Sequence, residues 1–482
     1  MVPPNPQTDL GGKSDSTGGL PSAPTWLLLA ALLFVFGCAG KRTLLMEQVR
    51  TELRSTSTEQ ALAAYEKGVK KNTERVDELL NLGLLALEAG QYDKALTSLN
   101  EADKLAEERL TKSLSREGAS LLTSDRVRAY QGTVYDRAMI YYYRALCYLL
   151  KGDASAATVE GRRIASYLEV NARESKHTYK NDPFLQWFSG VMYESFGQHN
   201  DAWISYKNAA QLYPFYDFET PGYLCRAEYA ALREVGASAE EAQLLERCPD
   251  VDKDFDPNWG RVVVLCEAGI APQIRENNIM FPIMKYEKRE FKNDEEREHY
   301  AEEVYWRGSD YRYEESELDY FVRVALPYYP DDSYGTEVAR VSVRGEGIDK
   351  LAEPAAPVAR ILKQDLNDRM PAIAVRAIAR GIIKYAASKA AEDAGKKDSE
   401  ALGQILGWGV NLLGAATEAA DTRSWETLPD QIFVADFQLP PGEHDLRVVF
   451  EDGSGTAVVR SDLPKVNIRA GELTVLRARC WR

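Results

Sequence analysis

Four histidines, His177, His199, His299 and His444, are the side chains best suited to proton transfer or metal ligation near neutral pH. None has the His-Glu-x-x-His spacing that sets two imidazoles on one helix face, none has a partner suggesting a triad, and no Gly-x-Ser-x-Gly elbow occurs. Gly11-Gly-Lys-Ser14 matches the end of a phosphate-binding loop but lacks its first glycine. Gly407, Gly409 and Gly414 have the wrong spacing for a dinucleotide fingerprint. One acidic, aromatic stretch remains, from Asn293 to Asp319, holding Trp306 and Tyr311. There Glu295 with Glu298, or Glu302 with His299, could do acid–base work or hold a divalent cation. Such a run is more often a solvated or docking face, so no residue in it is given a catalytic or metal role. The chain is read as not an enzyme, with no cofactor.

Composition sets the frame in which such residues must be positioned. The chain has 482 residues, 45% of them hydrophobic and 28% charged, an ordinary balance for a globular protein of roughly two to four domains. Lys and Arg total 59 against 74 Asp and Glu, giving a net charge of −15. Non-specific nucleic-acid binding draws on Lys and Arg, so nucleic acid is not an expected partner. The apolar run Trp26 to Phe36 is too short to span a bilayer but has the length of a signal-peptide core. It ends in Val35-Phe36-Gly37-Cys38, which resembles the bacterial lipobox: a branched apolar residue, then a small residue, then Cys. The resemblance implies cleavage after Gly37 and acylation of Cys38. At about 0.8 kcal/mol per buried CH₂, several acyl (palmitate-like) chains form a lasting membrane anchor. Lys13 is the single cation ahead of the run and lies far from it, a departure from the usual signal. Ala39 after the Cys favours the outer membrane, facing the periplasm.

Export would place Cys147, Cys225, Cys248, Cys266 and Cys480 in an oxidising compartment, where an odd number leaves at least one free. Cys225 and Cys248 flank one expected helical hairpin and are the pair expected to bridge. No Cys/His cluster suggests zinc.

From Lys41 to Asp250 the apolar pattern is helical and repeats. Gly83, Ala86, Gly90, Tyr92, Ala95, Leu99 and Ala102 have the spacing of a tetratricopeptide (TPR) unit, with small residues where two antiparallel helices touch. Similar offsets recur at Tyr141, Ala145, Tyr148, Gly152 and Ala157. They recur again at Gly190, Tyr193, Gly197, Ala202, Tyr206, Ala209 and Pro214. Arg144, Ser189 and Ile164 depart from the pattern. Key positions 83, 145 and 190 are farther apart than the ~34 residues of a tandem array, so insertions separate the repeats. A short, irregular α-solenoid of roughly eight to eleven helices follows, because one helix pair cannot bury its own apolar face.

Past Pro257 strands take over. Arg261 to Cys266, Phe321 to Leu326, Val338 to Val343, Gln431 to Leu439, Asp445 to Phe450, Thr456 to Arg460, Val466 to Ile468 and Leu473 to Arg479 are β-branched or alternating runs bounded by Gly and Pro. A helical hairpin interrupts them. Its first arm, Met370 to Ala391, carries Arg376, Arg380 and Lys384 at four-residue spacing; its second, Ala401 to Ala416, is uncharged and holds a GxxxG at Gly403 and Gly407. A membrane-contacting hairpin competes with one buried against the sheet, and the buried reading is favoured.

Three passages, Val262 to Pro272, Pro371 to Arg380 and Ala420 to Ile432, together with Leu439-Pro-Pro-Gly-Glu-His444 and the repeats, resemble a widespread family of bacterial lipoproteins with TPR-like repeats, largely uncharacterised, and a C-terminal β-rich region. The resemblance covers most of residues 38–482 and is most specific at Ala420-Asp-Thr-Arg-Ser-Trp425. It implies an envelope location and non-enzymatic scaffolding. Within that passage Arg423 could pair bidentately with Asp421 or Glu426 beside Trp425; a binding site competes with a structural staple pinning the uncharged helix to the first C-terminal strand, and the staple is favoured.

The expected architecture is α+β and multidomain: a signal peptide over 1–37, a TPR-like α-solenoid over 38–250, first strands over 258–349, a helical-hairpin insert over 350–420 and C-terminal strands over 425–482. The strands are expected to form a small antiparallel β sandwich or sheet. The expected function is a non-catalytic, lipid-anchored envelope scaffold or adaptor that binds partner proteins through its repeats. The alternatives are an envelope hydrolase or glycan-binding protein using the acidic β-rich half, or a structural subunit of an envelope complex.

Overall fold

The computed structural model describes residues 42–55, 57–71, 73–114, 130–174, 181–216, 219–251, 253, 256–284, 294–307, 318–330, 336–396 and 419–482. Cys38, the leader before it, His177, Tyr311 and the uncharged stretch Ala401 to Ala416 lie outside them.

The helical half begins with α1 (residues 42–54) and α2 (Thr58–Gly68). Four antiparallel pairs follow: α3 (Val76–Glu88) with α4 (Tyr92–Leu114), α5 (Val134–Leu150) with α6 (Ala154–Glu174), α7 (Pro183–Glu194) with α8 (His199–Leu212), and α9 (Gly222–Val235) with α10 (Ser238–Arg247). Each pair turns at a glycine in the left-handed region: Gly90, Gly152, Gly197 and Gly236, with φ of 70°, 78°, 72° and 74°. A side chain with a Cβ is strained there, which is why these positions read as turns in the sequence. Small residues also set the close approach within a pair. A Cβ added at Gly83 would lie 2.7 Å from Leu99, and one at Gly190 would overlap the Tyr206 ring. Starts are fixed by side chains. Thr133 and Asp136 form a capping box on α5, and Asp182 accepts from the Leu185 amide ahead of Pro183 on α7. The departures from the repeat pattern are satisfied by polar contacts: Arg144 donates to Glu160 (2.7 Å) and Ser189 to the Gly161 carbonyl (2.7 Å).

The strands differ from the expected arrangement. Seven of them form one sheet, in the order β11-β1-β6-β5-β4-β8-β9. These are β1 (Gly260–Ala268), β4 (Val338–Val343), β5 (Ile348–Ala356), β6 (Gln431–Leu439), β8 (Leu446–Glu451), β9 (Ala457–Asp462) and β11 (Leu473–Arg479). The sheet curls into a half-barrel, not a two-sheet sandwich. It is also not wholly antiparallel, since β1 and β11 pair in parallel. The curl lets one sheet enclose its own apolar interior (Val262, Val264, Phe433, Phe437, Val448 and Phe450), so no second sheet is needed to cover it. β7 (Gly442–His444) and β10 (Val466–Ile468) make a short ribbon beside it. The strands before and after the helical insert interleave, β6 lying between β1 and β5.

Phe321 to Leu326 is a strand but does not join this sheet. It belongs to β3 (Leu318–Tyr328), which pairs with β2 (Arg275–Met284) as a separate ribbon. That ribbon packs with α11 (Asp294–Arg307) on α12 (Val358–Lys396) around Tyr300, Val324, Ala377 and Ile378. α12 runs 39 residues, starting well before Met370 and carrying Pro371 inside it.

The largest core joins the helical repeats to one face of the sheet. Leu80, Leu84, Tyr142, Tyr143, Phe184, Trp187 and Phe188 pack in one cluster with Val263, Leu265, Trp425, Leu428, Val434 and Trp481.

Candidate functional site

The first helix of each pair turns toward the sheet, and there the contacts are ionic as well as apolar. Glu267 sits in β1 with no exposed surface. It accepts from Tyr142 (2.8 Å) and from Arg477 of β11 (2.6 Å), and Arg477 also reaches Glu88 of α3. Burial alone would raise the Glu267 carboxyl, but Arg477 and Arg479 override it and hold it below the usual carboxylate range. A second cluster is centred on Arg261, which donates to Asp436 through Nε (3.0 Å) and Nη2 (2.6 Å) and to Glu194 of α7 (2.6 Å). Removing one partner from such a buried pair costs about 3–5 kcal/mol, because the remaining charge is stranded away from water.

Residues 419–430 run without helix or strand between the repeats and the sheet. The Thr427 amide and hydroxyl both donate to Asn81 Oδ1 of α3 (3.0 Å each), and Trp425 donates to the Thr427 hydroxyl (3.1 Å). Trp425 is buried, its ring 5.5 Å from that of Tyr143. Arg423 takes Asp421 bidentately at 2.7 Å through Nε and Nη2, and its guanidinium lies 5.4 Å from the centre of the Tyr130 ring. Glu426 instead accepts from Gln273 (2.6 Å), while Arg50 donates to the Glu426 carbonyl (3.4 Å) and to that of Ala271 (3.0 Å). Asp421, Arg423 and Trp425 therefore lie together against the start of the repeats. The inner face of the repeats is filled by the chain's own sheet and by this extended segment.

A different side of the array is open. Between α4, α5 and α6 lies a cavity of about 680 Å³, lined by Asp103, Lys104 and Glu107 on one wall and Arg137, Arg144 and Arg163 on the other. Helical spacing puts Arg137, Tyr141 and Arg144 on one side of α5, while Tyr142 and Tyr143 go to the sheet. Arg137 bridges to Glu107 (2.6 Å) and Asp103 (3.4 Å) and lies over the Tyr167 ring. Glu160, nearly closed from water, takes Arg144 (2.7 Å) and Arg163 (3.0 Å). Its burial raises the carboxyl even so, against the pull of both guanidiniums. This geometry can hold a charged partner surface.

The other residues singled out in the sequence are dispersed. Glu295, Glu298, His299, Glu302 and Trp306 lie exposed on α11. His199 is half-buried at the start of α8, and His444 is held by Glu346 (2.6 Å) and the Pro440 carbonyl (2.8 Å). No group of three His, Cys, Asp or Glu among the described residues could hold a metal ion, and no helix among them is long and apolar enough to cross a membrane. Cys225 and Cys248 are joined by a disulfide between α9 and the end of α10, and Cys147, Cys266 and Cys480 are free and buried.

Sequence reasoning did not assign roles to Glu267, Arg261, Arg477 or Asn81. A signal was present: Glu267 is a lone acid in a β-branched run, and a charge in a buried strand needs a partner. Which partner was not readable, because Glu88 and Arg477 lie far from it in sequence.

No family model matches this chain, and no curated protein matches it. Among solved structures, a crystal structure of MamA is 16% identical over 42% of this chain and 91% of that chain, with a TM-score of 0.28. A second MamA structure is 16% identical over 45% of this chain and 98% of that chain, with a TM-score of 0.30. A Podosopora anserina putative kinesin light chain with nearly identical TPR-like repeats is 15% identical over 44% and 95%, with a TM-score of 0.31. The repeat architecture described above rests on this chain's own helix pairs and glycine turns.

Proposed function

We propose that the chain is a non-catalytic scaffold or adaptor of the bacterial cell envelope, anchored by acyl chains on Cys38 to the outer membrane and facing the periplasm. Partner proteins engage the groove between α4, α5 and α6, and the β half offers a second docking surface. The observation that carries this reading is the pairing of a filled inner face with an open, charged groove on the same array. Helical repeats suit extended contact without chemistry, and a sheet bonded into one side makes the other a rigid platform.

The test is cross-linking mass spectrometry on the tagged, full-length chain in living cells, beside Cys38→Ala and the groove double variant Glu107→Gln/Arg163→Gln. Both groove positions are well exposed, with side-chain exposures of 60% and 48%, so the fold is expected to tolerate the change. The proposal expects an envelope partner that is lost without the anchor and depleted by the groove variant. An identical set of partners without the anchor, or none above background, would overturn it.

A further inference from the structure

The seven-stranded sheet has two edges, and they are treated differently. At one end β9 carries exposed Arg460 and Asp462, and Asp462 is tied to Arg447 and Arg344. Its pairing with β8 breaks register beside Glu451. Charges and irregular register are what keep an edge strand from adding another. At the other end β11 pairs with β1 over seven unbroken positions, and its first four residues, Leu473-Thr-Val-Leu476, contain no charge and no proline.

The register fixes which backbone groups of β11 are in use. Arg261 lies opposite Leu473, and its amide donates to the Glu472 carbonyl (3.0 Å); at the far end the Cys480 amide donates to the Glu267 carbonyl (2.8 Å). In a parallel ladder each residue bonds the two neighbours of its opposite number. Hence Glu472, Thr474, Leu476, Ala478 and Cys480 point their backbone groups at β1. Leu473, Val475, Arg477 and Arg479 turn theirs to the outside, where among the described residues no backbone group meets them. Leu473 to Arg477 are all half-buried, so the strand is neither sealed in the core nor bare to water.

We infer that the outer edge of β11 accepts an extended segment of a partner protein as an eighth strand. The segment is uncharged over about four residues and rich in β-branched side chains, since a charge set against Leu473 or Val475 would lose water without gaining a partner. A second copy of this chain fits worse. Each copy carries −15, and a two-fold pairing using all four outward residues would set Arg477 against Val475 and Arg479 against Leu473. The inference deepens the adaptor reading and rests on it.

The test selects phage-displayed random nonapeptides on the full-length chain in detergent micelles, then measures the enriched peptides by fluorescence anisotropy. Val475→Pro removes an amide that β1 does not use, so it blocks strand addition without cutting the ladder. Val475→Lys supplies the missing guard charge if the proline variant folds poorly. Uncharged, β-branched peptides should be enriched, should lose about tenfold or more in affinity on both variants, and should be indifferent to Arg460→Ala on β9. Failure to enrich any peptide, peptides that bind both variants as well as the parent, or a dimer that Val475→Pro dissolves would each overturn the inference. If the in-cell partner of the anchored chain persists while this test fails, the edge is refuted and the adaptor stands. If peptides bind the edge but no partner depends on the anchor, the adaptor reading fails instead.

Discussion

On the inner side of the repeat array, ionic pairs join residues far apart in the chain and are shut off from water. In the groove between α4, α5 and α6, pairs join neighbouring helices and several partners stay wet. Glu267 has no exposed surface and Arg477 is 9% exposed, whereas Glu107 is 60% and Arg163 48% exposed. The same residue types therefore have opposite consequences. Buried, they lock two parts of the chain together and are costly to break; exposed, they add little stability and are free to change partners. The difference assigns the inner side to architecture and leaves the groove as the face on which the proposed recognition would act.

The contrast can be broken most forcefully at Glu267. Glu267→Ala takes from buried Arg477 one of its two carboxylates and from Arg479 its carboxylate neighbour, and is expected to cost about 3 kcal/mol by urea denaturation. A loss below about 1 kcal/mol would mean the pair is hydrated and the inner face loosely held. Trp425→Ala is expected to cost a similar amount, about 3 kcal/mol, from lost packing against Tyr143 and the repeat core. A change near zero would mean that residues 419–430 do not occupy the inner face.

A pH series sharpens the comparison. The Glu267 carboxyl lies below its ordinary value, so its contribution is complete above the unfolded value of about 4.3 and is lost as pH falls through the lower folded value. Asp430, at the end of the extended segment, behaves oppositely: burial pushes its carboxyl up to about 6 against Lys363 and Arg479. The folded chain then takes up a proton before the unfolded chain does, so this group adds stability as pH falls from 7 to 5. Asp430→Asn should flatten that part of the Tm profile, and an unchanged profile would remove Asp430 from the account. The smallest effect is expected in the groove, where Arg163→Ala should change stability by no more than about 0.5 kcal/mol. A loss of several kcal/mol would make the groove structural.

The repeats were legible because their determinants are local. A glycine at a positive φ and a small residue facing the next helix mark the sequence within one pair, as at Gly83, Gly90 and Gly197. The sheet was legible only strand by strand. β1, β4 and β6 show themselves by β-branched runs, but their order depends on contacts such as Arg261 opposite Leu473 that no local pattern encodes. β5 was missed because Glu353 and Pro354 argue against an inner strand; the register shift beside Pro354 accommodates the missing amide. β2 was missed because it opens on Arg-Glu-Asn-Asn and serves a ribbon outside the sheet. The Ala/Ile-rich pattern starts this helix at Met370, whereas α12 begins at Val358 and carries Pro371 inside. At the site, adjacency offers Arg423 either Asp421 or Glu426, and the structure takes Asp421. The Glu267 cluster was not readable, because it joins four elements.

The most direct test of the central claim is hydrogen exchange on the full-length chain, followed at the amides of residues 419–430 and of β1. The account predicts that the Thr427 amide, bonded to Asn81, exchanges as slowly as the β1 core, so that the inner face opens only when the chain unfolds. Fast exchange at Thr427 with α3 and α5 still protected would contradict it, and would leave the inner face of the repeats open.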